Sequence, residues 1–371
     1  MIRAILLAAG KKVGMIGTTG TVIGYVVTPT LNTTPESYEL HQAFAQMVEA
    51  GCEYAVMEVS SQGIKMHRTD GLYFNYAIFT NISPDHIGPG EHADFEEYLY
   101  YKTRLLNMCG IGLVNKDDEH APQIIKAANC ELYTYSEESK EADFVASDIR
   151  YVSQPDFVGT EFHISGKYDM EVRLGIPGLF NVVNALAAVS VCSFLGLDQA
   201  RISHALENIR VNGRMEIVYT SERCTVLVDY AHNAVSMESL LSTLRDYKPK
   251  RLVCVFGCGG NRSKDRRYSM GEIGGKMADL SIITADNSRY EKVEDIIADI
   301  RGSIEKTGGK FIEIPDRREA IRYSILHAQP GDMVAVIGKG HEDYQEINGV
   351  RHHFLDREVI EETVKELGEK A

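Results

Sequence analysis

Short apolar segments alternate with helical segments along most of this chain, and that alternation is the feature that most constrains its fold. The runs at 53–59 and 76–80 are apolar at most positions, which is typical of parallel strands covered on both faces. The sequence therefore predicts an α/β protein with a mostly parallel sheet. Further strands are predicted at 11–17, 225–229, 251–256, 280–284, 310–314 and 333–337, and helices at 1–10, 35–50, 94–106, 181–195, 292–306 and 317–327.

Two changes of pattern divide the chain. Residues 143–175 mix Val, Tyr, Phe and Thr with turn-forming Asp and Gly, which predicts a small antiparallel insert. A polar break at 212–214 separates the first alternating series from a second one. A length of 371 residues allows two or three domains, and we predict two, at 1–214 and 215–371.

The overall charge excludes some classes of partner. The chain has 39 basic and 53 acidic residues, so its formal net charge is −14. This balance argues against a general nucleic-acid binder or a protein of anionic membrane surfaces. There is no apolar run long enough to predict a membrane span. The seven cysteines lack paired spacing, which favours a reducing, cytoplasmic location.

Polar clusters follow six of the predicted strands. In open parallel sheets, ligands bind beyond the carboxyl ends of the strands, so clusters at these positions favour an active-site crevice over ordinary strand ends. The clusters are 58–61, 81–86, 229–233, 257–262, 286–289 and 338–342.

Glu58 and His86 are candidate metal ligands in the first two clusters. A carboxylate and an imidazole with open positions suit Mg²⁺ or Mn²⁺ when substrate phosphates complete the coordination shell. The alternative is structural: a helix-capping Glu and a core His. The spacing alone does not decide between them.

Lys102 lies on the apolar side of a predicted helix. Asp94 is the predicted N-cap, and Glu97 completes a capping box. Lys102 falls on the same stripe as Leu99 and Leu106. Burial of a lysine lowers its pKa, and a neutral amine can react with CO₂ to give an anionic carbamate. The alternative is a lysine that extends to solvent.

No triphosphate-binding loop is visible in the sequence. The pattern needs Gly-Lys followed by Ser or Thr, and no Gly-Lys pair in this chain is followed by either. The stretch 257–267 is strongly basic, and its arginines suit a carboxylate or phosphate. A solvated surface loop is the alternative.

Taken in order, the polar motifs resemble those of the Mur ligases, and within them the MurE type, which adds an amino acid to a UDP-N-acetylmuramoyl dipeptide. The resemblance extends over essentially the whole chain and is specific as a set. The matching segments are 32–37, 57–61 with Arg68, 79–86, the helix of Lys102, 178–188, 213–216, 229–233, 256–262, 286–289 and 338–345.

The resemblance implies a fold, a chemistry and a set of site residues. A central ATPase-like domain with a parallel sheet and a small antiparallel insert would precede a Rossmann-like α/β domain. ATP would convert a carboxylate into an acyl phosphate, which an amine then attacks with help from Mg²⁺. The residues implied are Glu58, His86 and carbamylated Lys102 as catalytic metal ligands, Asn181, Arg214 and Asp229 for ATP, and Thr33, Thr34, Ser60 and Arg68 for UDP-MurNAc-L-Ala-D-Glu.

The amino acid to be added is predicted from one short motif. In the family, Asp-Asn-Pro-Arg marks addition of meso-diaminopimelate, because its Arg holds the distal carboxylate. This chain has Asp286-Asn287-Ser288-Arg289, in which Ser replaces Pro but Arg remains. We therefore expect meso-diaminopimelate rather than lysine, with Arg267, Gly338 and Glu342 as further contacts.

The start of the sequence departs from the family pattern. Mur ligases place an N-terminal domain, a strand and a phosphate loop before the helix that ends here at Gly10. We therefore expect little ligase activity from this polypeptide alone, unless a separate chain supplies the missing part. Three other interpretations remain open: a non-catalytic binding protein derived from a ligase, a lysine-adding ligase, and a relative of the folylpolyglutamate or cyanophycin synthetases.

Overall fold

The computed structural model describes residues 1–368, which divide into two compact units. The first unit comprises 1–149, 161–174 and 180–209, and the second comprises 150–160, 175–179 and the chain from 210 onward. The main division lies close to the predicted boundary at 214. The second unit also takes two short segments from the first half, so a single boundary remains a prediction.

The first unit begins with a four-stranded sheet in the order β3-β2-β1-β4. Strand β1 pairs antiparallel with β2 across a tight turn at 18–19 and parallel with β4 on its other side. The elements are α1 (Ile2–Ala8), β1 (Val13–Gly17), β2 (Gly20–Ile23), β3 (Val26–Thr28), α2 (Ser37–Glu49) and β4 (Tyr54–Met57).

A six-stranded sheet in the order β10-β9-β8-β7-β6-β5 follows. Strands β5 to β8 are parallel, and β8 to β10 occupy the predicted insert. The elements are α3 (Ser61–Lys65), β5 (Phe74–Phe79), α4 (Phe95–Thr103), β6 (Cys109–Asn115), α5 (Ala121–Ala127), β7 (Glu131–Ser136), β8 (Phe144–Gln154), β9 (Phe157–Gly166), β10 (Met170–Leu174), α6 (Leu179–Phe194) and α7 (Gln199–Glu207).

The second unit contains a six-stranded sheet in the order β11-β12-β16-β13-β14-β15, parallel except for β11. A separate hairpin, β17–β18, follows it. The elements are β11 (Glu216–Thr220), β12 (Cys224–Asp229), α8 (Ala234–Asp246), β13 (Arg251–Phe256), α9 (Lys264–Met277), β14 (Leu280–Ile283), α10 (Val293–Thr307), β15 (Phe311–Glu313), α11 (Arg317–Leu326), β16 (Asp332–Ile337), β17 (Tyr344–Ile347), β18 (Val350–His353) and α12 (Asp356–Glu366).

The predicted α/β alternation is confirmed, but three details of the prediction were wrong. The six polar clusters follow strands of three different sheets, so they do not share the single edge expected of one crevice. Strand β4 lies at the edge of its sheet, and Ala55 is exposed despite the apolar sequence. Glu97 does not close the predicted capping box: Asp94 caps α4, but the Glu97 carboxylate binds Lys65 and the N–H of Ala93.

The structure also describes the helices and the cysteines for which the sequence made predictions. None of the helices within residues 1–368 is long and apolar enough to cross a membrane. All seven cysteines are free thiols rather than disulfides.

Glycines on one face of α9 allow α10 to pack closely against it. A Cβ on Gly271 would lie 2.6 Å from the carbonyl oxygen of Ile300, and one on Gly275 would lie 2.1 Å from Oγ1 of Thr307. These distances are too short for any side chain. Gly302 on α10, by contrast, faces open space.

We expect Gly271→Ala to destabilise the protein by about 1–3 kcal/mol, because the new methyl group overpacks the helix pair. Gly302→Ala is the matched control, and it should stabilise the protein by about 0.5–1 kcal/mol because alanine restricts the unfolded chain. Scanning calorimetry of the two variants checks both signs. Equal melting temperatures would contradict the packing argument.

Candidate functional site

A buried threonine joins two of the predicted clusters in the first unit. Thr34 is fully buried. Its hydroxyl donates to the carbonyl of Glu58 at 3.0 Å and accepts the N–H of Ser60 at 2.9 Å. Ser60 in turn caps α3 by accepting the N–H of Gly63. Because Thr34 has no exposed surface and its hydroxyl is already used, its predicted contact with substrate is replaced by support for Glu58 and Ser60.

The Glu58 carboxylate is held beside the turn that follows β1. It accepts the N–H of Thr18 at 3.1 Å and the Thr18 hydroxyl at 2.7 Å. The Thr33 hydroxyl lies 3.3 Å from that of Thr18. A Cβ on Gly17 would come within 2.8 Å of the Glu58 carboxyl carbon, so any larger residue there would displace the carboxylate from this position.

Arg68 also reaches this cluster. It donates to the carbonyl of Thr34 at 3.3 Å and pairs with Glu36 at 2.7 Å. Its Nε is buried without a protein partner. The structure therefore places Thr33, Thr34, Glu58, Ser60 and Arg68, predicted from separate motifs, in one connected network.

His86 and Lys102 are connected through Tyr98. The His86 ring packs edge-to-face on Tyr98 with ring centroids 5.8 Å apart, and Lys102 Nζ donates to the Tyr98 hydroxyl at 3.1 Å. The His86 side chain is half-exposed and lies 3.4 Å from the Glu91 carboxylate. Lys102 is half-buried at the wall of a cavity of about 800 Å³ that edge strands β4 and β5 also line.

These side chains do not by themselves build a closed metal site. Across residues 1–368, no group of three or more His, Cys, Asp or Glu side chains is arranged to hold an ion. One carboxylate and one imidazole with open positions fit Mg²⁺ only when waters or substrate oxygens supply the other ligands. Glu58 and His86 are both accessible enough for that kind of site.

Asp229 and Arg214 lie together in the second unit. Asp229 ends β12, is buried, and accepts the N–H groups of Met215 and Ala231 at 2.8 and 2.7 Å. Burial raises the pKa of Asp229, while these two N–H groups and Arg214 oppose the shift. The Arg214 guanidinium stacks on Tyr230 at 5.0 Å. Asn181 is in the first turn of α6 in the first unit and is buried.

The two C-terminal motifs meet in one hydrogen-bond network. The Asn287 amide donates to Glu342 at 3.0 Å, and its oxygen accepts the N–H of Glu346 at 2.9 Å. Gly338 has a φ of 112°, and a Cβ there would lie 2.7 Å from Oδ2 of Asp286. The structure thus brings together Asp286, Asn287, Gly338 and Glu342, and their contact with an amino-acid substrate stays a prediction.

Arg289 borders this network with an incompletely paired guanidinium. Its Nη1 donates to the carbonyl of Gly260 at 2.6 Å, and its Nε is 3.8 Å from the Glu346 carboxylate. The Arg289 side chain is about 24% exposed. The main-chain N–H of Arg289 donates to the carbonyl of Glu346, and the residue adopts a left-handed conformation with a φ of 51°.

Arg267 is placed differently from the prediction. The basic stretch is only partly a loop, because α9 begins at Lys264. The Arg267 side chain is 1% exposed, donates to both oxygens of Glu291 at 2.8 Å, and donates to Asp299 at 2.9 Å. This geometry does not support the predicted contact between Arg267 and substrate.

Sequence reasoning missed several residues that organise these networks. Lys339 is fully buried, reaches Glu342 at 3.3 Å and Asn287 at 3.4 Å, and donates to the carbonyl of Tyr344. His92 is fully buried, and its main-chain N–H donates to the carbonyl of His86 at 3.0 Å. Lys339 lies within the 338–342 cluster that the sequence analysis identified, but nothing in the residue pattern predicts that its ammonium group is buried.

Comparison with known proteins gives consistent matches. Residues 1–192 match the Mur ligase middle domain, and residues 213–340 match the domain described as "Mur ligase, glutamate ligase domain". The UDP-N-acetylmuramoyl-L-alanyl-D-glutamate--2,6-diaminopimelate ligase of Caldanaerobacter subterraneus subsp. tengcongensis is 39% identical over 372 residues, which cover 99% of this chain and 75% of that protein. The ligase of the same name from Clostridioides difficile is 38% identical, with coverage of 99% and 76%.

Solved structures agree with these sequence matches. A structure of a UDP-N-acetylmuramoyl-L-alanyl-D-glutamate--2,6-diaminopimelate ligase aligns with a TM-score of 0.80 and 33% identity, covering 100% of this chain and 76% of that one. The folylpolyglutamate synthase of Thermotoga maritima aligns with a TM-score of 0.63 at 17% identity, covering 91% of this chain and 82% of that one. The second similarity is one of fold alone.

Thr34→Val is expected to destabilise the first unit by about 1–2 kcal/mol, because it leaves the part-buried Glu58 carbonyl and Ser60 N–H without this partner. The Ser60 amide should then exchange its hydrogen faster. Thr33→Val is the matched control and should change stability by less than about 0.5 kcal/mol, because Thr33 is partly exposed. Equal effects in calorimetry and hydrogen exchange would contradict the assigned role of Thr34.

Proposed function

Because this chain belongs to the Mur ligase family, whose members are ATP-dependent ligases, we propose that it adds meso-diaminopimelate to UDP-MurNAc-L-Ala-D-Glu. The observation that carries the choice of amino acid is Arg289. Its side chain is about 24% exposed, donates to the Gly260 carbonyl at 2.6 Å, and lies 3.8 Å from the carboxylate of Glu346, whose main-chain N–H binds Asn287. Guanidinium groups bind carboxylates through paired N–H donors.

The chemical difference between the candidate amino acids supports this choice. Diaminopimelate carries a carboxylate at each end, whereas lysine has only its α-carboxylate, so only diaminopimelate offers Arg289 an anionic partner at the distal end of the ligand. The carboxylates of Asp286 and Glu342 are suited to the ammonium groups of the same ligand. Ser288, which replaces the family's proline, is buried at a turn where its carbonyl accepts the N–H of Glu291 at 3.1 Å. A proline carbonyl could accept the same hydrogen bond.

The remaining predicted residues divide between ATP and the acceptor substrate. Arg214, Asp229 and Asn181 would hold ATP, and Glu58, His86 and carbamylated Lys102 would hold Mg²⁺. Bound Mg²⁺ would neutralise charge on phosphoryl and acyl oxygens. The acceptor UDP-MurNAc-L-Ala-D-Glu would contact Thr33, Ser60 and Arg68, which border the Glu58 cluster.

Within this proposal, each protein group has a definite task. Thr18 and Thr34 hold Glu58 in place from two directions. Tyr98 connects His86 with the Lys102 amine, so the imidazole and the amine line one region of the first unit. Burial raises the pKa of Asp229, and two main-chain N–H groups fix its carboxylate, which would accept hydroxyl donors such as those of ribose.

We expect Arg289→Ala to weaken binding of meso-diaminopimelate by about 10- to 100-fold, because a charge-assisted hydrogen bond contributes about 1.5–3 kcal/mol. Affinity for lysine should stay within about twofold, since lysine has no distal carboxylate and each 1.4 kcal/mol is a factor of ten. Isothermal titration calorimetry of each amino acid into the 371-residue chain measures both quantities.

Arg301→Ala is the control for removal of an arginine, because Arg301 is an exposed residue of α10 paired with Glu313. It should leave both affinities unchanged. Equal loss of lysine and diaminopimelate affinity in Arg289→Ala would contradict the assignment. A parallel titration with MgATP adds a one-directional test: binding of both MgATP and diaminopimelate would contradict a ligase-derived protein that binds only the amino acid.

A further inference from the structure

A fully buried ion pair lies beneath the two C-terminal motifs. Arg317 is the first residue of α11, and Asp356 is the first residue of α12. Arg317 Nε and Nη2 donate to the two Asp356 carboxylate oxygens, each at 2.7 Å, and both side chains have no exposed surface. The pair therefore has the bidentate geometry of the strongest guanidinium–carboxylate contacts.

The same guanidinium also binds the ends of two strands. Its Nη1 donates to the carbonyl of Ala285 at 3.3 Å, and its Nη2 donates to the carbonyl of Ile337 at 3.0 Å. Ala285 directly precedes Asp286, and Ile337 directly precedes Gly338. Arg317 thus contacts the main chain one residue before each of the two motifs.

The strands in question are not neighbours. In the sheet, β13 lies between β14 and β16, so their axes are roughly 10 Å apart at ordinary strand spacing. No β-ladder joins β14 directly to β16, and the planar guanidinium spans the gap instead. A lysine ammonium at this position could not reach both carbonyls and both carboxylate oxygens in one plane.

Stability alone does not account for this arrangement. Removing two charges from water is costly, and well-packed apolar residues often stabilise a core as much as a buried ion pair does. Burial would lower the pKa of Arg317, but the Asp356 carboxylate raises it, with further contributions from Asp286 and Glu342. The charge of Arg317 is therefore coupled to two carboxylates of the candidate amino-acid site.

The site contacts require a fixed distance between the two motifs. The Asn287 amide reaches Glu342 at 3.0 Å, and Gly338 approaches Asp286 too closely for a Cβ. Both contacts connect the segment after β14 with the segment after β16. A shift of either strand end would open them.

We propose that the Arg317–Asp356 pair is a positioning device for the amino-acid site, which sets the distance between the Asp286-Asn287 and Gly338–Glu342 segments. The proposal rests on the function proposed above, in which these segments bind diaminopimelate. Neither side chain has exposed surface, so both act through the motifs rather than by touching the ligand.

The test compares Arg317→Lys with Arg251→Lys. Arg251 forms a similar pair with Asp332, which is 1% exposed, and also donates to the carbonyl of His327 at 3.1 Å. That pair lies at the amino ends of β13 and β16, the opposite edge of the same sheet. Arg251 matches the charge and has a buried aspartate and a carbonyl as partners, although it binds a single Asp332 oxygen and is 28% exposed, and it does not contact the motifs.

Both variants should lower the melting temperature, but only Arg317→Lys should weaken diaminopimelate binding, by about tenfold, or roughly 1.4 kcal/mol. In the double variant Arg317→Lys/Glu342→Gln, the loss of diaminopimelate affinity should be smaller than the sum of the losses in the two single variants, because residues that share a network are coupled. Affinity within about twofold of the parent, or equal loss in Arg251→Lys, would overturn the proposal.

A second measurement does not depend on the ligand. In the unliganded chain, hydrogen exchange at 285–289 and 338–342 should be faster in Arg317→Lys and unchanged in Arg251→Lys. Unchanged exchange in Arg317→Lys overturns the positioning role even if diaminopimelate proves not to be the substrate.

Should Arg317→Lys fail to fold, Asp356→Asn, which keeps the acceptor's shape, is judged by the same criteria. If the parent chain shows no diaminopimelate binding, the proposed function fails while the exchange result still decides the inference.

Discussion

Buried cations impose the strongest constraint on the second unit. Arg267, Arg317 and Lys339 are the lysine and arginine side chains that are buried within residues 1–368. A buried charge is tolerated only when acceptors surround it. For Arg317 and Lys339 those acceptors include main-chain carbonyls at or near the ends of strands. Hydrogen bonds from these buried cations to main-chain carbonyls therefore fix the loops that carry the motifs, in addition to the hydrogen bonds within the loops.

In the first unit, the segments that carry the motifs are held in place without a buried lysine or arginine. Its cluster is built around a neutral hydroxyl, Thr34, and depends on close approach at two glycines. A Cβ on Gly17 would meet Glu58, and one on Gly63 would come within 2.8 Å of Thr34. Neutral hydrogen bonds carry a smaller desolvation cost than ion pairs. The Glu58 carboxylate therefore stays exposed and available while its backbone is fixed.

Local pattern predicted the elements well, and motif order predicted which residues belong together. The strands at 225–229, 251–256 and 333–337 were found within one residue of their predicted bounds. Local pattern could not predict how deeply each strand is buried or which strands belong to the same sheet. The run at 53–59 looks like a central strand because apolar content reports the hydrophobicity of side chains, not the number of neighbouring strands.

Side-chain partners were the other quantity that the sequence could not predict. Arg267, Arg289 and Arg317 are the same residue type, but only Arg289 lies within one of the motifs. Their roles differ because of distant residues: Glu291 and Asp299 for Arg267, and Asp356 for Arg317. The pairing between Arg317 and Asp356 crosses 39 residues of chain, which no periodicity reveals.

Partner saturation decides which of these arginines can accept a ligand carboxylate. Arg317 already has both oxygens of Asp356 and two carbonyls, and Arg267 has carboxylates on two sides. A ligand at either position would have to displace a buried partner, which leaves a carboxylate unpaired at a cost of several kcal/mol. Arg289 has one carbonyl and a carboxylate that is 3.8 Å away. A new carboxylate can bind there without breaking a buried pair, so the least saturated arginine is the one suited to recognition.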